Sequence, residues 1–350
     1  MMRPRRLVSP ERLRSGDQGF ALWARRFMLI LGLLLVSGGL AMLPATRWWH
    51  RHFEPTFEVV EVKNQVTPEV LGFSSHFPAD RLTRYRVGMA QGLDIPLSVI
   101  EYRNEENQPE KVTVYPDAKD ASAVTSANPR MALWSTAAEA ISKHASPDAL
   151  YVTWWDNAQR VHFLTGEATW PRRPAADALE GLPLSAFWQE ASGGLAVDPA
   201  PVRQLAQWLT MDADLALKAI RSDPKVSKTL YLLACVDDLA RLGEIERLSG
   251  VSIPLEVRYF PSGEDLHAQI KEVRRWASET GNGANYLVQP VVGGGVRAWR
   301  VTRPEGSNLL LIRLLPFSQS LENPLEGLRL VYQSHWGAYI NLFEVISGTH

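Results

Sequence analysis

Ala149–Trp170 reads ALYVTWWDNAQRVHFLTGEATW. Its first six residues are an unbroken apolar run bounded by polar sequence, as expected of a strand covered on both faces. Just upstream, Met131–His144 (MALWSTAAEAISKH) is alanine-rich with apolar residues at helical spacing, and Asn128-Pro129 supplies a start signal. Before that, Lys111–Tyr115 (KVTVY) alternates like a strand, and NEENQPE at 104–110 separates it from Leu97–Arg103 (LSVIEYR) as a solvated hairpin loop. Strand, helix, buried strand is the pattern of a βαβ crossover and predicts an α/β fold.

The pattern recurs further along. Thr229–Cys235 (TLYLLAC) reads as a buried strand. Val236–Leu248 follows as a helix, with Asp237 and Asp238 in its first turn, where the dipole favours them, and Gly250 closing it. Leu255–Phe260 is the next strand, and Glu264–Thr280 is an amphipathic helix with Leu266, Ile270, Val273 and Ala277 on one face. Residues 199–220 are helical, as one bent helix or two. The last seventy residues differ in texture: Asn285–Val292, Val296–Thr302, Leu309–Leu315 and Leu328–Gln333 read as strands joined by Gly- and Pro-containing turns. They predict an antiparallel extension of the sheet or a small β-rich subdomain. Nearer the start, Phe57–Lys63 (FEVVEVK) alternates as a strand, and residues 64–96 are turn-rich. The expected regions are a first α/β region at 57–195 and a second at 196–350 with a β-rich C-terminus, as two domains or one.

Ahead of this body lies Phe27–Ala45 (FMLILGLLLVSGGLAMLPA), 19 residues without a charge, the length a helix needs to cross a bilayer. Residues 1–26 hold seven arginines against Glu11 and Asp17, a net of +5. Positive residues stay on the cytoplasmic side, and Trp48 and Trp49 suit the opposite interface. The expectation is a single-pass anchor in a bacterial inner membrane, with a basic cytoplasmic tail (1–26), a juxtamembrane linker (46–56) and a periplasmic body. A cleaved signal peptide, with Gly39-Leu40-Ala41 as the small-residue site, is the competing reading.

Residues 27–350 carry a net charge of −6, which does not resemble a nucleic-acid binder. Cys235 is the single cysteine and ends an apolar run, so it is expected to be a buried, inert thiol. One cysteine excludes an intrachain disulfide, a Cys-x-x-Cys-His haem attachment, a cysteine-held iron–sulfur cluster and a multi-cysteine zinc site. The eight histidines show no His-x-x-x-His or His-Glu-x-x-His spacing, so no metal or other cofactor is expected. Gly293-Gly294-Gly295 sits between two strand-like runs and reads as a hairpin turn rather than a phosphate cradle.

Candidate chemistry concentrates in the opening window. Asp156, Asn157, Arg160 and His162 fall just beyond the carboxyl end of a strand, where α/β sheets gather ligand sites, beside the indoles of Trp154 and Trp155. These six would form a polar pocket with aromatic walls. Alternatively, Asp156 or Asn157 caps a helix, Arg160 pairs with Asp156 four residues earlier, and the tryptophans fill the core. An open cleft at Asp156, Arg160 and His162 favours the pocket; mutual pairing with buried indoles favours a scaffold.

The basic leader, the single anchor near residue 30, the missing haem motifs and the Trp154-Trp155-Asp156 window together resemble the HaoB family. Those are hydroxylamine oxidation proteins encoded beside the multihaem hydroxylamine oxidoreductase. The resemblance spans nearly the whole chain. It implies a periplasmic accessory that docks or assists that oxidoreductase, and it brings no catalytic residues with it. Trp-Trp-Asp also resembles segments of oligosaccharyl- and glycosyltransferases, which have many membrane spans. That likeness leaves a second possibility, a periplasmic sugar- or small-amine-binding module using Trp154, Trp155 and Asp156.

Overall fold

The alternation at 57–63 continues into a long strand, β1 (Thr56–Val66), which opens a four-stranded antiparallel meander with β2 (Ala79–Gly88), β3 (Asp94–Arg103) and β4 (Pro109–Val114), in that spatial order. The structure is a computed structural model, and it describes residues 56–88, 94–114, 130–144, 146, 148–182, 184–223, 229–261, 266–279, 285–290 and 295–346. All of these belong to one compact unit, Thr56–Gly88 with Asp94–His350. The tail, the Phe27–Ala45 run and all of the linker except Thr56, which opens β1, lie outside the described residues. Among the described residues no helix is long and apolar enough to cross a membrane.

β2 lies within the stretch expected to be turns. A bulge between Ala79 and Arg81 interrupts its alternation, and beyond it Arg84 and Arg86 lie on the face opposite the buried Thr83, Tyr85 and Val87. The β3–β4 hairpin follows expectation. Asn104 Oδ1 accepts the amide N–H groups of Glu106 and Gln108, at 3.1 and 2.9 Å, and so shapes the turn.

A mixed five-stranded sheet forms the centre, in the order β11-β12-β7-β5-β6. Its strands are β5 (Leu150–Val152), β6 (Thr169–Trp170), β7 (Leu230–Cys235), β11 (Leu328–Gln333) and β12 (Ile340–Val345). β5 pairs in parallel with both β6 and β7, while β12 joins β7 and β11 joins β12 antiparallel. The sheet thus draws on both expected regions, and the antiparallel C-terminal extension is present.

Two expected crossovers are corrected. β4 does not share a sheet with β5: its short hairpin to β3 holds it in the meander. The crossover in this part of the chain is instead β5, the helix Trp155–Thr165 and β6, in which Tyr151 pairs with Thr169. Likewise β7 and β8 (Leu255–Phe260) belong to different sheets. β8 flanks β10 (Val296–Val301) with β9 (Tyr286–Pro290) on the other side, all antiparallel to β10. β8 and β9 are therefore parallel to each other, linked by the amphipathic helix Leu266–Ser278. β9 and β10, the runs that flank the glycine triplet, pair antiparallel as expected; residues 291–294 between them lie outside the described residues.

Residues 199–220 form two helices, Ala200–Thr210 and Ala213–Ser222. Asp212 divides them by capping the second, accepting the N–H groups of Asp214 and Leu215 at 3.1 and 3.3 Å. Leu309–Leu315, expected as a strand, is a helix over Leu310–Leu314 preceded by a 3₁₀ turn at Pro304–Asn308. Leu310, Leu311, Ile312, Leu314 and Leu315 are all buried. A run covered on every side shows no period by which helix and strand can be told apart. The principal core joins meander, helices and central sheet, from Val66 to Leu342.

Candidate functional site

The helix Trp155–Thr165 is covered on all sides, with every residue from Trp155 to Leu164 buried. It packs against β4, β6 and the helix Arg130–His144. Gly166 ends it at φ +74°, with its N–H on the carbonyl of His162 at 2.8 Å. A helix buried all round is ordinarily apolar. This one carries Asp156, Asn157, Gln159, Arg160 and His162, so each buried polar group must find partners inside the protein.

Asp156, Asn157 and Arg160 find them together. Arg160 Nη2 lies 3.0 Å from Asp156 Oδ2, and Arg160 Nε donates to the carbonyl of Thr113 in β4 at 2.9 Å. Its Nη1 donates to Asn157 Oδ1, and the guanidinium lies 5.3 Å from the ring centre of Trp134. The remaining members come from Val236–Arg241 and the helix Leu242–Ser249, just beyond β7. Arg241 reaches Asp156 Oδ2 at 3.3 Å and Glu244 Oε1 at 2.9 Å. Its guanidinium lies 3.9 Å from the ring centre of Trp188 and 5.0 Å from that of Trp155. Glu244 Oε2 accepts both indole N–H groups, from Trp154 at 3.2 Å and from Trp155 at 2.9 Å. Asp238 accepts from Asn157 Nδ2 at 2.6 Å and from the Cys235 backbone N–H at 2.8 Å.

The charges in this core balance. Arg241 and Arg160 hold the Asp156 carboxyl below its usual range against the opposing effect of burial. Burial and the neighbouring charge of Asp156 push Asp238 up to about 8, although two N–H donors favour its ionised form. At neutral pH the balance is therefore two guanidiniums against the carboxylates of Asp156 and Glu244, with Asp238 largely neutral.

His162 does not join them. On the other side of the helix its Nδ1 lies 3.0 Å from the carbonyl of Glu167, and its ring is 5.1 Å from that of Phe77. Its Nε2 lies 3.5 Å from Glu105 Oε2. Desolvation lowers its pKa, so the ring is neutral at pH 7. The six window residues thus divide into five in one closed network and one apart. Asp156 and Arg160 are mutually paired, and both indoles are buried. The space beside Trp154 and Asp238 is a cavity of about 10 Å³, room for one water at most.

Cys235 is buried, and burial first, then Asp237 and Asp238, push its thiol well up, which makes it unreactive. Among the described residues no group of three or more His, Cys, Asp or Glu side chains could hold a metal ion.

Asp238, Arg241, Glu244 and Trp188 were not apparent as partners of the window. One signal was present: Arg241 and Glu244 stand on the same helical face as the apolar Ile245 and Leu248, where charged side chains can be buried only if paired.

A family model described as "HaoA-associated protein HaoB" matches residues 24–345. Comparison with curated proteins gives no match. Among solved structures, the chain resembles the C-terminal globular domain of an oligosaccharyltransferase from Archaeoglobus fulgidus, at 13% identity and a TM-score of 0.31. That likeness covers 61% of this chain and 96% of the other, and at this level nothing further rests on it.

Proposed function

This chain belongs to the HaoB family of HaoA-associated proteins, and from that membership we propose that it is a membrane-tethered periplasmic accessory of hydroxylamine oxidation. In this reading it docks or assists the multihaem hydroxylamine oxidoreductase, HaoA, and has no redox centre of its own. The observation that carries the proposal is the extent of the family match, residues 24–345, which includes the Phe27–Ala45 run as well as nearly all of the described body. Three further features support it. The arginine-rich leader and the apolar run suit an anchor with an exported body. The one cysteine cannot attach a haem through Cys-x-x-Cys-His. The most distinctive polar cluster of the sequence is spent on internal pairing, as in a scaffold.

The sugar- or amine-binding alternative needs exposed indoles and a free carboxylate. Both indole N–H groups are committed to Glu244, and Asp156 is committed to two arginines.

The test is affinity capture of the full chain from detergent-solubilised membranes of the native organism. HaoA is expected among the captured proteins, identified by its haem staining and its mass. Its repeated absence, under conditions that retain other membrane complexes, would overturn the proposal.

A further inference from the structure

β1 carries four of the twelve large apolar side chains exposed among the described residues: Phe57, Val59, Val60 and Val62, each 41–53% exposed. Apolar residues exposed singly are ordinary, but a group of them on one element marks a contact surface. The bulge in β1 decides how they are presented. Side chains alternate along a strand, so in regular pairing Phe57, Val59 and Glu61 would share one face. The register shift between Val59 and Glu61 makes Val60 an extra residue. Glu61 then stands opposite Arg84 and Val62 opposite Thr83, while Phe57 and Val59 stand opposite Val87 and Tyr85. Phe57, Val59 and Val62 therefore lie together on the face of Thr83, Tyr85 and Val87. The charges of the strand fall on the other face, where Glu61 pairs with Arg84 at 2.8 Å and with Lys63 at 3.2 Å, and Glu58 with Arg86 at 3.6 Å.

The short helix Ser185–Ala191 covers the neighbouring strands on the apolar face, burying Tyr85, Val87, Leu97 and Val99 against Phe187 and Ala191. Phe57 reaches its rim, with its ring 5.3 Å from that of Phe187, and the rest of the β1 face is left in the open. Charges of both signs, Glu190, Glu101 and Arg81, act on the Tyr85 hydroxyl beside it, so the face suits an uncharged apolar surface. β1 is also an edge of the meander. Its bulge and its charges are devices that keep an edge from pairing with another strand, which leaves the side chains of one face to make the contact.

Chain length identifies what that face meets. Ten residues, 46–55, separate Ala45, the end of the apolar run, from Thr56. An extended chain advances ~3.3–3.6 Å per residue, so β1 begins within about 40 Å of the end of the run by any path. The linker holds Trp48, Trp49 and Phe53 with Arg47 and Arg51, a composition suited to lipid headgroups. Among the described residues no other exposed apolar side chain stands so near the run along the chain.

We propose that the face of Phe57, Val59 and Val62 rests on the surface of the bilayer that holds the anchor, as a second membrane contact that fixes the orientation of the body. It meets headgroups and upper acyl chains without preference for anionic lipid. The inference rests on reading Phe27–Ala45 as an uncleaved anchor and is independent of HaoA binding.

The experiment places the full chain in phosphatidylcholine nanodiscs, with one cysteine introduced at a time by Val59→Cys, Val62→Cys, Lys63→Cys or Val197→Cys, each labelled with bimane. Cys235 is buried, so the wild type serves as the unlabelled blank. Lys63 lies on the opposite face of β1, and Val197 is a fully exposed apolar residue elsewhere. Lipids carrying a nitroxide at the 5-position should quench the labels at 59 and 62 at least threefold more than those at 63 and 197. Equal quenching at all four positions would overturn the proposal. So would labels at 59 and 62 that are shielded from aqueous iodide yet not quenched by lipid, the mark of a second copy or another protein on this face. Extraction of native membranes with alkaline carbonate separates the two readings. A chain released by carbonate overturns the anchor and this contact with it, whereas a retained chain with unquenched labels overturns the contact alone.

Discussion

Asp156→Asn isolates the charge at the centre of the buried network while keeping the shape of the side chain. Asp156 Oδ2 touches both guanidiniums, at 3.0 Å from Arg160 and 3.3 Å from Arg241, and the residue is 3% exposed. In the variant Arg160 keeps its bonds to Thr113 and Asn157, and Arg241 keeps Glu244. The loss is therefore that of one counter-charge in a dry site, about 3–5 kcal/mol. Part of it is offset from within. The negative charge of Asp156 is one of the causes that raise Asp238 to about 8. Without it Asp238 ionises more readily near neutral pH and supplies a replacement charge in the same core. The expected destabilisation is thus near about 3 kcal/mol at pH 7, growing toward about 5 as the pH falls toward 5 and Asp238 keeps its proton. Urea denaturation followed by tryptophan fluorescence at both pH values reads this directly, because Trp154 and Trp155 report on the same network. A loss below about 1 kcal/mol at both, the scale of an exposed ion pair, would refute the reasoning.

Glu244→Gln retains an acceptor for the indoles but removes the Glu244 charge from beside Arg241; a loss of about 2–4 kcal/mol is expected, read by the same denaturation. His162 has a folded pKa below its unfolded value of 6.5, so only the unfolded chain takes up its proton between the two values. The wild type should therefore lose stability relative to His162→Phe as the pH falls from 7 to 5, by up to about 1.4 kcal/mol per pH unit, and a pH-independent difference would contradict the burial of that ring. Gly166→Ala puts a side chain at φ +74° with its Cβ 2.7 Å from the ring of His76, an exposed side chain able to move aside. About 1–2 kcal/mol is expected from the backbone alone, measured as a shift of the denaturation midpoint.

Much of this architecture was legible from local signals. ALYVTW and TLYLLAC are central parallel strands because their apolar side chains face cover on both sides. The β3–β4 hairpin and the amphipathic helix near 266–278 rest on short-range chemistry, whereas the sequence left 199–220 open between one bent helix and two, and the structure divides it at the Asp212 cap. Sheet membership was not legible. β4 and β5 are separated by a helix in the manner of a crossover, yet β4 is held by a hairpin partner across a loop of five residues, 104–108. The strand that completes the real crossover, Thr169–Trp170, has two residues and so no period to detect. β12 was missed as well, although INLFEV joins the central sheet to its edge strand β11. At the candidate site, the i,i+4 step from Asp156 to Arg160 was visible because both lie on one helix. Arg241 and Glu244 meet the window only through the packing of segments more than eighty residues apart.

The most direct measurement is the affinity of purified HaoA for the purified full chain, reconstituted in nanodiscs and followed by biolayer interferometry. Saturable one-site binding is expected, and it should disappear when the chain is unfolded in urea and the urea is rapidly diluted. Binding indistinguishable from that to empty nanodiscs would contradict the proposed role.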